Sequence, residues 1–125
     1  MILDTNGLSA LAEGNPLLTE AVETADVIGI PVIVLGEYIF GIRQSRNRVE
    51  YEQWLAEALP AFQVLSVDSI TAEHYAEIRL ELKSKGKPIP VNDLWIAALT
   101  RQHGSRILSR DSHFDSVPGL KRIPW

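Results

Sequence analysis

The chain alternates short apolar runs with longer amphipathic ones. Ile2 to Asp4 reads as a short strand that leads through Thr5, Asn6 and Gly7 into a helix with Leu8 and Leu11 spaced for one face. In "NPLLTEAVETA", Asn15 is placed to cap a helix and Pro16 to occupy its first position. "DVIGIP" is a β-branched, buried strand closed by Pro31. "VIVLGEYIFGIRQS" fits strand or helix by pattern, and its length and Gly-flanked apolar faces favour a buried helix. "RVEYEQWLAEAL" puts Tyr51, Leu55, Ala58 and Leu59 on one helical face and stops at Pro60.

The pattern then repeats. "FQVLSV" reads as a strand, and "SITAEHYAEIRLELKSKG" as a helix with Tyr75, Ile78 and Leu82 in register and Gly86 as its stop. "IPVNDLWIAALTRQHG" predicts a helix from near Pro90 to Gly104, with Arg101 and His103 in the last turn. "RILS" is a fourth strand and "KRIPW" a fifth. Strands separated by helices imply crossovers and a mainly parallel sheet covered on both sides. The expected fold is a three-layer α/β/α domain with a short central sheet, one domain over residues 1–125.

Composition narrows the chemistry. There is no cysteine, which excludes thiolate metal sites and cysteine nucleophiles and suits a reducing cytoplasm. The most apolar stretch, "VIGIPVIVLGEYIF", is broken by Pro31 and Glu37 and falls short of the roughly 20 residues that span a bilayer. It is core, with no membrane role. A net charge of −4 argues against a nucleic-acid binder that works by overall basicity. The charge is uneven, however: Arg43, Arg46 and Arg48 form one basic segment, and Arg79, Lys83, Lys85 and Lys87 another. Solvated surface is the ordinary use of such runs.

The acids carry more information. In open parallel sheets ligands bind beyond the carboxyl ends of the strands, where strand order reverses. Asp4 follows the first strand, and Asp111 follows "RILS" in the same relation. Asp93 lies in the first turn of its helix, which begins at that same edge after a crossover. Glu37 is the only charged residue between Asp26 and Arg43, on a helix expected to be largely buried. Each acid also has an ordinary structural use: Asp4 and Asp111 as strand terminators, Asp93 as a first-turn acid favoured by the helix dipole, Glu37 on a narrow solvent stripe with Gly41 and Gln44. Convergence of all four would raise their pKa values by mutual repulsion unless a cation offset it. An all-oxygen set suits Mg2+ or Mn2+, as one ion or as a pair that activates water for phosphodiester displacement. Without these four charges the formal net charge is zero, so the remainder of the chain is balanced.

"LDTN", the "GE" of the third helix, "PVNDLWIAA" and "ILSRDSHFDSVPGL" occur in an order and spacing that resemble the PIN-domain ribonucleases, in particular the VapC toxins of prokaryotic toxin–antitoxin pairs. The resemblance runs from Leu3 to Trp125. It implies an endoribonuclease that cuts single-stranded or structured RNA, with Asp4, Glu37, Asp93 and Asp111 as metal-holding catalytic acids and Mg2+, or Mn2+, as cofactor. Asp115 is a weaker candidate that shapes the following loop. Thr5, Asn6, Asn92 and Ser109 look like donors that orient the acids, with helix capping as the competing use of Asn92. His113, with no second histidine at ligand spacing, reads as a loop residue. The resemblance further implies a cognate antitoxin that occludes the cleft and a homodimer built from the early helices, for which Val34, Leu35, Tyr38, Ile39 and Phe40 could supply an apolar face.

Other doubly wound folds with acids at strand ends fit less well. A phosphotransfer receiver wants paired acids after the first strand and a lysine after the last; a dehalogenase-like phosphatase wants Asp-x-Asp where this chain has "DTN". A PIN-like scaffold that binds RNA or protein without cutting it stays open as the alternative.

Overall fold

The structure, a computed structural model, describes residues 1–125. Its centre is a five-stranded, wholly parallel sheet in the order β3-β2-β1-β4-β5. The strands are β1 (Ile2–Leu3), β2 (Gly29–Pro31), β3 (Gln63–Leu65), β4 (Ile107–Leu108) and β5 (Arg122–Ile123). Helices α1 (Thr5–Ala12) and α2 (Pro16–Thr24) join β1 to β2, and α3 (Val32–Arg43) and α4 (Arg48–Ala58) join β2 to β3. Helices α5 (Ser69–Ser84) and α6 (Val91–Gln102) then carry the chain back across the sheet to β4. Growth outward from β1 in two directions makes β1 and β4 the point where strand order reverses. The layers are the α/β/α arrangement that the alternation implies.

Local chemistry explains most boundaries. Asn15 caps α2 by accepting from the amides of Leu17 and Leu18, ahead of Pro16. Asp68 and Thr71 close a reciprocal capping box at the start of α5. Gly86 and Gly104, with φ of +67° and +58°, turn the chain after α5 and α6 as only glycine does without strain. The interior is one cluster of 24 buried apolar residues. The strand residues Ile2, Leu3, Ile30, Ile107 and Leu108 belong to it, as do Ile78 and Leu82 of α5 and Leu94, Ala98 and Leu99 of α6. α5 and α6 pack most extensively of any pair, with Tyr75 stacked on Trp95 at 4.0 Å between ring centroids.

Three expectations need correction. The first strand stops at Leu3 rather than Asp4: helical geometry starts at Thr5, and Asp4, directly after the strand, is the N-cap, its carboxylate accepting from the Gly7 amide at 2.8 Å. Asn92 does not cap α6; Pro90 holds that position without a side-chain bond, and Asn92 is an exposed second helical residue. Helix α3 is buried on one side alone. Val34, Tyr38 and Ile42 are inside at i, i+4, i+8 spacing, while Phe40 is 66% exposed. An apolar composition does not reveal which of its faces meets the sheet.

Candidate metal and active site

The reversal of strand order puts two loops side by side. Asp4 leaves the end of β1, and Ser109 and Asp111 leave the end of β4, its direct neighbour. Asp4 is buried, and Ser109, fully buried, donates its hydroxyl hydrogen to Asp4 Oδ2. Ser109 Oγ in turn accepts from the backbone amide of Asp111 at 2.9 Å. A relay from the Asp111 amide through Ser109 to Asp4 therefore fixes one acid relative to the other. Asp111 is itself the N-cap of a 3-10 helix, Ser112–Ser116, accepting from the His113 amide at 2.9 Å. Both acids are thus capping residues, and capping holds each carboxylate at its strand end.

Glu37 arrives from α3. Thr5, the first residue of α1, donates its hydroxyl to Glu37 Oε1 at 3.3 Å, which places this acid beside the β1 loop. Asp93 arrives from the first turn of α6, with its Oδ2 at 3.0 Å from Nδ1 of His113. The same Nδ1 lies 3.0 Å from Asp111 Oδ1. Ligand atoms of Asp93, Asp111 and His113 all fall within 4.8 Å of one another. All four predicted acids are brought to one edge: Asp93 and Asp111 in a tight group with His113, Asp4 buried behind the Ser109 hydroxyl, and Glu37 held through Thr5.

The electrostatics report the same crowding. Burial pushes the Asp4 carboxyl above its ordinary range and the charge on Asp111 adds to the rise, while the Ser109 and Gly7 hydrogen bonds oppose it. Burial likewise raises Asp93; the charges on Asp111 and Glu37 push the same way, and His113 works against them. The hydrogen bond to Asp93 raises the His113 imidazole in turn.

His113 is the residue that sequence reasoning missed. A lone histidine in a loop has no periodic signature, and its one available signal was its place two residues after Asp111, within reach of the same cap. Of the expected orienting donors, Thr5 and Ser109 do bond acids, whereas Asn6 and Asn92 point to solvent-exposed positions. Asp115 stands outside the group, paired with Arg122 at 2.7 Å. That partner holds the Asp115 carboxyl below its ordinary range. The basic segments bond elsewhere than the cluster. Arg43 and Arg48 both face Glu52, and Arg79 and Lys83 line a cavity of ≈470 Å3 between α5 and the start of α6, which none of the four acids lines.

The parallel sheet reverses its strand order between two carboxylate-bearing loops, and the acids gathered there give this α/β/α fold an acidic centre at that edge. The chain belongs to the PIN-domain family, whose model matches residues 1–120. It is 29% identical over 124 residues to Ribonuclease VapC5 of Mycobacterium tuberculosis, spanning 98% of this chain and 90% of that one. It is 31% identical over 101 residues to the tRNA(fMet)-specific endonuclease VapC of Shigella flexneri, spanning 77% and 74%. Among solved structures, DNA-bound VapBC from Salmonella typhimurium superposes with a TM-score of 0.88 at 25% identity, covering 99% of this chain and 96% of the other.

Proposed function

We propose that the protein is a divalent-cation-dependent endoribonuclease, one folded unit working in the cytoplasm as the toxin half of a VapBC-type toxin–antitoxin pair. What supports this reading is the close grouping of Asp93 and Asp111, with Asp4 tied to the same loop through Ser109 and Glu37 tied to the residue after Asp4 through Thr5. Relatives named ribonuclease and endonuclease supply the substrate class. The DNA-bound VapBC neighbour from Salmonella typhimurium supports the partner.

The donor set fits a hard cation. Carboxylates driven toward protonation by burial and by one another are the groups that a divalent ion relieves, and oxygen donors suit Mg2+ first and Mn2+ second. Asp4, Glu37, Asp93 and Asp111 would hold it. When bound, the ion supplies Lewis acidity that eases ionisation of water and build-up of negative charge on a phosphodiester. The chain's own part is positional. Ser109 and Gly7 keep Asp4 in one rotamer, and Thr5 keeps Glu37 turned toward the β1 loop. Arg79 and Lys83 offer positive charge to an RNA backbone alongside. The homodimer implied by the resemblance would rest on the outer side of α3, through Val32 and Phe40, since Val34 and Tyr38 belong to the core.

Purified protein incubated with RNA in Mg2+ and in EDTA, beside Asp4→Asn and Asp111→Asn, tests the reading. Cleavage is expected in Mg2+ with the wild-type chain alone. Equal cleavage in all conditions refutes the cation-dependent mechanism, and no cleavage of any RNA favours the non-catalytic scaffold.

A further inference from the structure

We propose that His113 supplies an imidazole nitrogen to the cation centre and tunes it toward Mn2+ over Mg2+. The inference rests on the reading of the acids as that centre and adds to it a donor of a different chemical type. His113 Nδ1 stands 3.0 Å from Asp93 Oδ2 and 3.0 Å from Asp111 Oδ1. Two donors at right angles on an ion with bonds of about 2.1 Å are about 3.0 Å apart, the edge of an octahedron. One nitrogen at that spacing from two separate carboxylate oxygens is poorly served by a single N–H, which aims at one acceptor. It is well served by an ion on which all three converge.

The backbone holds the imidazole in this place. The His113 amide bonds Asp111 Oδ1 at 2.9 Å inside the 3-10 helix, so the residue that caps the turn is the same one whose carboxylate neighbours the ring. Nitrogen donors change selectivity. Imidazole suits the later first-row ions best, and Mn2+, which like Mg2+ favours oxygen, lies at the start of that series and accepts a nitrogen more readily than Mg2+, which keeps its waters. The side chain is half exposed, so its replacement leaves the core intact.

Mn2+ titrated into the protein and followed by electron paramagnetic resonance provides the test, with spin-echo modulation to detect nitrogen coupled to the ion. Wild type is expected to show imidazole nitrogen coupling, lost in both His113→Ala and His113→Gln. Mn2+ affinity should fall about 10-fold or more in these variants, in line with the loss of a supporting group at a metal site, with Mg2+ affinity little changed. Nitrogen coupling absent from a wild-type protein whose Mn2+ binding is abolished by Asp93→Asn overturns the role of His113 and leaves the acid centre standing. Equal losses for Mg2+ and Mn2+ in His113→Ala overturn the selectivity. Mn2+ binding indifferent to both Asp93→Asn and Asp111→Asn overturns the acid centre as well.

Discussion

Ser109 donates its hydroxyl hydrogen to the carboxylate of Asp4 from 105 residues away, across the boundary between β4 and β1. The bond joins the two loops that carry Asp4 and Asp111, because the Asp111 amide also bonds Ser109 Oγ. A side chain with no acid–base role thereby sets the spacing of two acids.

Ser109→Ala should therefore disturb both stability and ion binding. It leaves Asp4 Oδ2 and the Asp111 amide short of a partner, at a cost of about 1–3 kcal/mol for a buried polar group. Ion affinity should fall by about 10–100-fold, the usual effect of removing a group that orients a ligand. Urea denaturation and calorimetric titration with Mn2+ measure the two effects, and unchanged affinity would contradict the positioning role.

Gly7 is the other control on Asp4. A Cβ built there would stand 3.1 Å from Asp4 Oδ1 and 3.4 Å from the Leu108 carbonyl oxygen. Alanine is favoured over glycine in a helix by about 1 kcal/mol, which offsets part of the crowding. Gly7→Ala should leave the melting temperature nearly unchanged while RNA cleavage drops about 10-fold or more, because the movable neighbour is the carboxylate itself. A variant that cleaves as well as wild type would show that Asp4 has slack.

The crowded acids predict an unusual pH dependence in EDTA. Asp4 and Asp93 have folded pKa values raised above the ordinary 3.8, and His113 is raised above 6.5. For all three the folded chain binds protons more tightly than the unfolded chain. The His113 contribution is full below its unfolded pKa and is lost as pH rises through its folded one. For the two acids, ionisation in the folded chain is the destabilising event, so stability grows as pH falls through their raised values toward 3.8. The Met1 amine, lowered from 8.0 by burial, works the other way only toward pH 8, so the ion-free protein should melt higher at about pH 5 than at about pH 7, with the difference shrinking in saturating Mn2+. Asp68 and Asp115, whose pKa values are lowered, reverse the trend only below the ordinary carboxylate range. Flat thermal melts across this window would count against crowding at the site.

Leu99 and Phe40 separate core from surface. Leu99 on α6 is fully buried, so Leu99→Ala should cost about 2–5 kcal/mol in chemical denaturation. Phe40 on α3 is 66% exposed, and Phe40→Ala should shift stability by no more than about 0.5 kcal/mol. Loss of a dimer in sedimentation of Phe40→Ala, with stability held, would support the proposed role of the outer side of α3. A monomeric wild type would remove that role.

The chain by itself determined what depends on neighbours a few residues apart. The alternation of strand and helix, the Asn15–Pro16 start, the stop at Gly86 and the seating of Asp93 in a first turn were legible because capping and periodicity act locally. The positions of Asp4 and Asp111 after apolar runs were legible for the same reason, although their capping role was not. Only the tertiary structure decided that Ser109 bonds Asp4, that Thr5 holds Glu37, that His113 stands between Asp93 and Asp111, and that Phe40 faces outward. Those distances follow from strand order, from β4 pairing with β1 rather than with β3, and long-range pairing leaves no local pattern in the residues that it brings together.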